Sequence, residues 1–371
     1  DCLLSETTII DGVYILQEKL GQGGMAAVYR AEVDLSRFDY TTLYAYTQVS
    51  ADTHLQRREK AEKLAGKLRG QKLDLATLRA VLDAQGIPTP GQVAAVKVGI
   101  GESDYARFEA EWKDLMCLNQ DNVVKVYGGG VYMKRPYYAM ELLTNMVPPK
   151  RIIEQFTIRQ KIQVVIEAGR GLAYLHGNGI VHRDVKPENI VVCEALPGQF
   201  VSKITDLGIA KNLETKLGLT LSQTVMGTPY YMAPEQIESS RDVDRRADIY
   251  SLGAVLYELV TGRAPYHDKT TVYEVIAAVT RGEAPTPPKQ HKPDLPDVVA
   301  SIIECAMQRD VSQRYEDMAD MVADLETYVR EECAEVATAV TYQAADRRRS
   351  TAHSGLGRYH FETMKFHPPP I

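Results

Sequence analysis

His182-Arg183-Asp184-Val185-Lys186-Pro187-Glu188-Asn189 packs an acid, bases and an amide into one short loop. On its N-terminal side the helix-like stretch 158–176 carries apolar residues at helical spacing, and on its C-terminal side runs the strand-like Ile190-Val191-Val192. So many polar groups exceed what a structural turn requires. Twenty-two residues beyond Asp184, Thr205-Asp206-Leu207-Gly208 puts a further carboxylate on a turn. Any one of these Asp residues, taken alone, is ordinarily a helix cap or turn former. All of them in this order are not explained that way. Asn189 and Asp206 offer hard oxygen ligands of the kind Mg²⁺ takes in small number, the rest of its shell coming from phosphate and water. Asp184 is then free to act on a hydroxyl proton.

Upstream, strand-like runs at 13–20 and 27–33 flank Gly21-Gln22-Gly23-Gly24, a hairpin with an unusually bare turn. Without Cβ atoms at Gly21, Gly23 and Gly24, backbone N–H groups can approach an anion closely, although a glycine hairpin by itself is as well read as a tight turn. Lys97 lies in the apolar strand-like run 93–98, where a charge needs a carboxylate or phosphate partner unless it reaches solvent at an edge. Glu111, on the helix-like stretch 103–118, can supply one. Strand character returns at 123–131 and 137–143, and beyond residue 150 the chain is mostly helical. Strands gathered early and helices late predict an α+β fold in two lobes.

The chain has 371 residues, 44% of them hydrophobic and 25% charged, enough for a large core and incompatible with wholesale disorder. A formal charge of −6 argues against a nucleic-acid binder, which would usually be clearly basic. Five scattered cysteines with no C-x-x-C pair fit a reducing compartment and no structural zinc. The longest strongly apolar stretch, 249–260, is too short to span a bilayer and carries Glu258. A cytoplasmic location is expected, with an anchor outside this sequence left open. There is no internal repeat.

Taken together, these motifs resemble those of the eukaryotic-type (Hanks-type) serine/threonine protein kinases, in their bacterial branch. GQGGMAAV at 21–28 resembles the glycine-rich loop, VAAVKV at 93–98 the lysine strand, HRDVKPEN at 182–189 the catalytic loop, DLG at 206–208 the DFG triplet, and APE at 233–235 the end of the activation segment. The resemblance implies a two-lobed kinase fold, with a small β-rich N-lobe (about 11–143) holding one main helix and a larger helical C-lobe (about 144–330). It implies ATP and Mg²⁺, with Mn²⁺ as an alternative, as cofactors. Lys97 would hold the α/β-phosphates and pair with Glu111, preferred to Glu109 by its spacing from Phe108 and Asn122. Asp184 would be the catalytic base and Lys186 a contact to the transferred group. Asn189 and Asp206 would be the metal ligands. Met140 resembles the gatekeeper, so the hinge from Glu141 to Leu143 would pair with adenine, between Val28, Ala95 and Val191. Asp248 resembles the aspartate that braces the catalytic loop from beneath, and Glu235 with Arg314 the buried ion pair of the larger lobe.

Three departures stand out. Ala26 replaces the third glycine, Leu207 replaces Phe, and Lys97 follows Gly21 by seventy-six residues where the family uses roughly twenty. Residues 34–91 are therefore an insertion between the family's second and third strands. Its aromatic patch (Phe38, Tyr40, Tyr44, Tyr46) precedes two amphipathic helix-like stretches, one with Leu55, Ala61, Leu64, Ala65 and Leu68 on a face, the other with Leu75, Leu78, Val81 and Leu82. A helical hairpin capped by Asp74 is predicted, packed on its own lobe or serving as a docking site for a partner or second copy. Residues 331–371 have the composition of a tail. Lys186 and the Gly227-Thr228-Pro229 segment resemble those of kinases acting on Ser or Thr of proteins. Arg183 before Asp184 implies control through a phosphorylated activation loop, with Thr220, Ser222 and Thr224 as candidates. The alternative is a pseudokinase or scaffold binding module, opposed by a competent residue at each catalytic position checked.

Overall fold

The computed structural model describes residues 4–332, except 6, 23–25, 48–53, 70–73, 85–90, 92, 100–111, 113–114, 117, 207–228 and 239–242. Residues 1–325 form one compact unit, and 326–371 a second, of which the described 326–332 are helical.

Alternating β-branched, aromatic and small residues build a six-stranded antiparallel sheet. Its strands are β1 (Ile9–Ile10), β2 (Tyr14–Gln22), β3 (Ala26–Val33), β4 (Val93–Gly99), β5 (Val126–Tyr132) and β6 (Arg135–Met140), in the order β1-β2-β3-β4-β6-β5. Tyr29, Ala31 and Val33 point into the core on one face of β3, and the period of two puts Val28 and Arg30 on the other. Register then aligns Val28, Lys97 and Tyr138 across three strands, with Ala95 opposite Met140 in a neighbouring row. Irregular register between β2 and β3 at Leu16, Lys19 and Gly21 twists this strand pair toward its Gln22 end. The expected strand at 123–131 starts only at Val126, because Val123 instead makes a parallel bridge to Ile204; that at 137–143 begins earlier and ends at Met140.

Among its described residues the insertion has three helices where the sequence pattern predicts a pair: α1 (Tyr40–Thr47), α2 (His54–Arg69) and α3 (Leu75–Ala84). The aromatic stretch becomes helix α1 because Asp39 caps it, accepting from the Thr42 N–H at 2.9 Å and the Thr42 hydroxyl at 2.6 Å. Asp74 caps α3 through the Ala76 N–H at 3.0 Å and the Thr77 hydroxyl at 2.5 Å. Ala61, Ala65, Leu78 and Leu82 are buried, and so are Phe38 and Tyr40, which meet edge to face at 4.9 Å between centroids. Leu75, expected on the buried stripe, is 40% exposed, since it sits in the first turn of α3 before the packed face begins.

Beyond the sheet, β7 (Met146–Val147), β8 (Ile190–Leu196) and β9 (Gln199–Ile204) form a small second sheet against helices. Helices α4 (Pro149–Gln155), α5 (Ile158–Gly177), α6 (Pro234–Glu238), α7 (Arg246–Thr261), α8 (Val272–Thr280), α9 (Pro288–His291) and α10 (Asp297–Ala306) follow, and a last helix starts at 318. A capping box between Thr157 and Gln160 opens α5. Gly171 on α5 lies so near the Asn122 carbonyl that a Cβ would stand 2.6 Å from its oxygen, and this approach brings α5 beneath β9. Thirteen residues of α7 are buried, so this helix is the axis of the larger lobe; it ends at Gly262, whose φ of 73° only glycine adopts without strain.

Candidate active site

Asp248, in the first turn of α7, is fully buried and gathers three donors. Its Oδ2 accepts from the His182 backbone N–H and from His176 Nε2, both at 2.8 Å, while Oδ1 accepts from the Arg183 N–H at 2.8 Å. A buried carboxylate is costly unless paired, and here successive donors satisfy it. Those bonds hold Arg183 at φ 61°, a left-handed conformation that non-glycine residues adopt only under local constraint. The His182 ring continues the chain. Its Nδ1 accepts from the Asp184 N–H at 3.2 Å, which makes Nε2 the protonated nitrogen that donates to the Thr205 carbonyl at 2.9 Å. The turn after β9 is thereby tied to the catalytic loop, and Asp206, next in sequence, is also left-handed at φ 54°.

Within that frame the loop folds on itself. Asn189 Nδ2 donates to the Asp184 carbonyl at 2.7 Å and to its Oδ2 at 3.2 Å, and Lys186 Nζ lies 3.1 Å from the same Oδ2. The Thr205 N–H donates to the Asn189 carbonyl at 2.9 Å. Asp184, Lys186, Asn189 and Asp206 therefore converge at one end of β8 and β9. Across the cleft Lys97 forms an ion pair with Asp206. Burial works against the Lys97 charge, but Tyr138 and Asp206 outweigh it and hold the ammonium above its ordinary value. Burial pushes the Tyr138 phenol up to about 12.

The remaining expected residues fall as follows. Gly21, the penultimate residue of β2, lies opposite Val28, with open space where a Cβ would stand. Ala95 and Met140 share the sheet face of Lys97, and Val191 lies in β8 opposite Lys203. Glu141 begins the irregular stretch after β6; its N–H donates to the Lys125 carbonyl at 2.8 Å and its carboxylate accepts from Lys203 at 3.0 Å. Leu143 follows in the same stretch, half-buried. Gly23, Gly24, Glu111, Thr220, Ser222 and Thr224 lie outside the described residues.

Tyr138 and Gln236 were not singled out from sequence. Gln236 on α6 donates to the Arg183 carbonyl at 3.0 Å, clamping the segment after the activation loop onto the catalytic loop. Beside it, Glu235 takes Arg314 in a two-pronged pair at 2.7 and 2.8 Å, with the Arg314 side chain wholly buried over the Tyr250 ring. Strand alternation places Tyr138, two residues before Met140, on the Lys97 face, and that period was the available signal.

The donors present suit a divalent cation. Asp206 brings a carboxylate that is 43% exposed to the cleft, and Asn189 a side-chain amide whose nitrogen is committed to Asp184. Two hard oxygens form the sparse protein set that Mg²⁺ accepts. A separate cavity of about 660 Å³ lies behind the sheet, between Phe38, Thr42 and Ala65 of the insertion and Trp112, Met116 and Gly129.

A lysine, two acids and an amide converging beside the six-stranded sheet is the arrangement that the resemblance to protein kinases leads one to expect. The chain belongs to that family: the protein kinase domain matches residues 89–324. The chain is similar to a probable serine/threonine-protein kinase PknB of Bifidobacterium longum, 34% identical over 256 residues, 64% of this chain and 36% of the relative. It is 34% identical to the probable kinase CPE1738 of Clostridium perfringens over 222 residues, 59% and 31% of the two chains. Against the serine/threonine-protein kinase PknB of Mycobacterium leprae it is 33% identical over 229 residues, 60% and 36%. The matched part is thus about a third of these relatives' length. Among the described residues, no helix is long and apolar enough to cross a membrane.

Proposed function

We propose that this chain binds ATP between its lobes and transfers the γ-phosphoryl group to Ser or Thr hydroxyls of proteins, its own activation segment included. The observation that carries this is the Asp248 frame, which fixes Asp184, Asn189 and the Asp206 turn through His182 and the backbone of Arg183. In transfer, the acceptor oxygen bonds to the γ-phosphorus while the bond to the β,γ-bridging oxygen breaks, and ADP leaves with that oxygen. Asp184 orients the hydroxyl and takes its proton. Lys97 and Lys186 face the phosphate oxygens with positive charge. Asn189 and Asp206 would hold Mg²⁺, or Mn²⁺, which would neutralise phosphate charge. Positioning and charge complementarity are most of what this reaction asks of a protein.

Lys97 and Glu111 would form the small-lobe pair, and Gly21, Gly23 and Gly24 the phosphate cover. Phosphorylation at Thr220, Ser222 or Thr224 would act through Arg183. Residues 11–330 would constitute the kinase domain, with 34–91 inserted into it and 331–371 as an extension. The burial of Tyr40, Ala61, Ala65, Leu78 and Leu82, with α1 packed against α2 and α3, weighs against an insertion that presents that stripe to a partner. Scattered cysteines support a cytoplasmic setting. Incubating the chain with Mg-ATP and a generic basic protein, followed by phosphoamino-acid analysis, tests the proposal. Phosphoserine or phosphothreonine is expected; no transfer, or phosphotyrosine alone, contradicts it.

A further inference from the structure

Tyr138 stands directly opposite Lys97 in the β4–β6 pairing, so the two side chains share the cleft face. The tyrosine is 7% exposed, Lys97 Nζ lies 5.9 Å from its ring centroid, and its hydroxyl is within hydrogen-bonding reach of both Lys97 and Asp206. An ammonium only donates and a carboxylate only accepts, whereas a phenol does both. Lys97 donates directly to Asp206, and one arrangement lets the phenol join that pair: Lys97 also donates to the Tyr138 oxygen, and the Tyr138 O–H donates to Asp206. The phenol is carried on the middle of a paired strand with two rotatable bonds, while Lys97 reaches the cleft on a flexible four-carbon stem.

We infer that Tyr138 is a positioning residue, a fixed acceptor that holds the Lys97 ammonium toward incoming phosphate alongside its ion pair with Asp206. When Asp206 turns its carboxylate to a cation, Lys97 loses that partner. The strand-borne hydroxyl keeps its place and continues to aim the ammonium. Without it, Lys97 pairs with Asp206 alone, and phosphate and cation must both compete with that pair. This deepens the phosphotransfer reading and rests on it.

The experiment compares the whole chain with Tyr138→Phe, which removes one oxygen, and with Tyr138→Met, which removes it in a differently shaped side chain. Steady-state transfer to a basic protein, thermal melting, and calorimetric titration with Mg-ADP are measured on each. Both variants should raise KM for ATP about three- to tenfold with kcat within about twofold, the loss expected for one hydrogen bond. Affinity for Mg-ADP should fall by the same factor, and excess Mg²⁺ should recover part of it. A KM within about twofold of the parent chain overturns the inference, as does a fall in KM, which would make the hydroxyl a lock rather than a guide. A loss of kcat that tracks the melting temperature overturns it too, because that marks a merely structural role. If the parent chain transfers no phosphate, the kinase reading fails instead, and unchanged Mg-ADP affinity in the variants then decides against Tyr138 separately.

Discussion

The larger lobe and the insertion each fasten a turn with one aspartate, and they do so in opposite surroundings. Asp248 is fully buried and takes donors from two backbone amides and a histidine ring. Asp39 keeps its side chain 49% exposed, caps α1 through Thr42, and pairs with Arg69 of α2 at 2.7 Å. In water, competing solvent and salt leave such a clasp only a small net stabilisation. Within the core the same bonds cannot be replaced by water, so losing one leaves an unsatisfied group. The proposed active site is built on the first kind of fastening, and the insertion on the second.

The largest expected effect comes from the buried pair that shares the frame's surroundings. Glu235→Ala leaves the Arg314 guanidinium buried without its carboxylate, which should cost about 3–5 kcal/mol in denaturant unfolding. Replacing both partners, Glu235→Leu with Arg314→Met, should cost less than the single change, since no charge remains unpaired. Equal losses would place Arg314 in solvent-like surroundings and blur the contrast.

Asp248→Asn keeps the shape but turns an amide N–H toward groups that themselves donate. A loss of about 1.5–3 kcal/mol in positioning should appear as roughly a 10- to 100-fold lower kcat, with KM for ATP little changed. A rise in KM with kcat intact would mean that the frame serves nucleotide binding rather than the loop that carries Asp184.

At the other pole, Asp39→Ala should cost about 1 kcal/mol, the ordinary value of a cap, with kcat unaffected. Burial alone would raise the Asp39 carboxyl, but the Thr42 hydroxyl and amide and the Arg69 guanidinium outweigh it and hold it below the usual carboxylate value. A depressed carboxyl contributes its stabilisation above its unfolded value of about 3.9 and loses it as pH falls through the lower folded value. The stability gap between parent and variant should therefore be constant near neutrality and close in that acid window. A gap that widens on acidification would reverse the sign assigned to Asp39.

The two regions also differ in how far their residues could be read in advance. The 182–189 loop is legible because its residues lie within one short segment, whereas Asp248, Glu235 and Arg314 are legible only through the resemblance to the kinase family. The insertion offers only periodicity. Periodicity marked Ala61, Ala65, Leu78 and Leu82, yet it extended the stripe one turn too far at Leu75 and overlooked that Asp39 and Thr42 start a helix of their own. Tyr138 and Gln236 escaped for a different reason. Their partners, Lys97 with Asp206 and the Arg183 carbonyl, are brought close only by strand pairing and lobe packing, and no local pattern in the sequence records a contact of that kind.

The central claim is that the buried frame presents Asp184 to an acceptor hydroxyl. Asp184→Asn removes the base while keeping its shape. Intact-mass spectrometry of the parent chain and this variant after incubation with Mg-ATP, with nucleotide affinity measured alongside, tests the claim most directly. Added phosphate on the parent, its near-complete loss in Asp184→Asn, and closely similar ATP affinity are predicted. Phosphorylation of the variant at the parental rate would contradict the account.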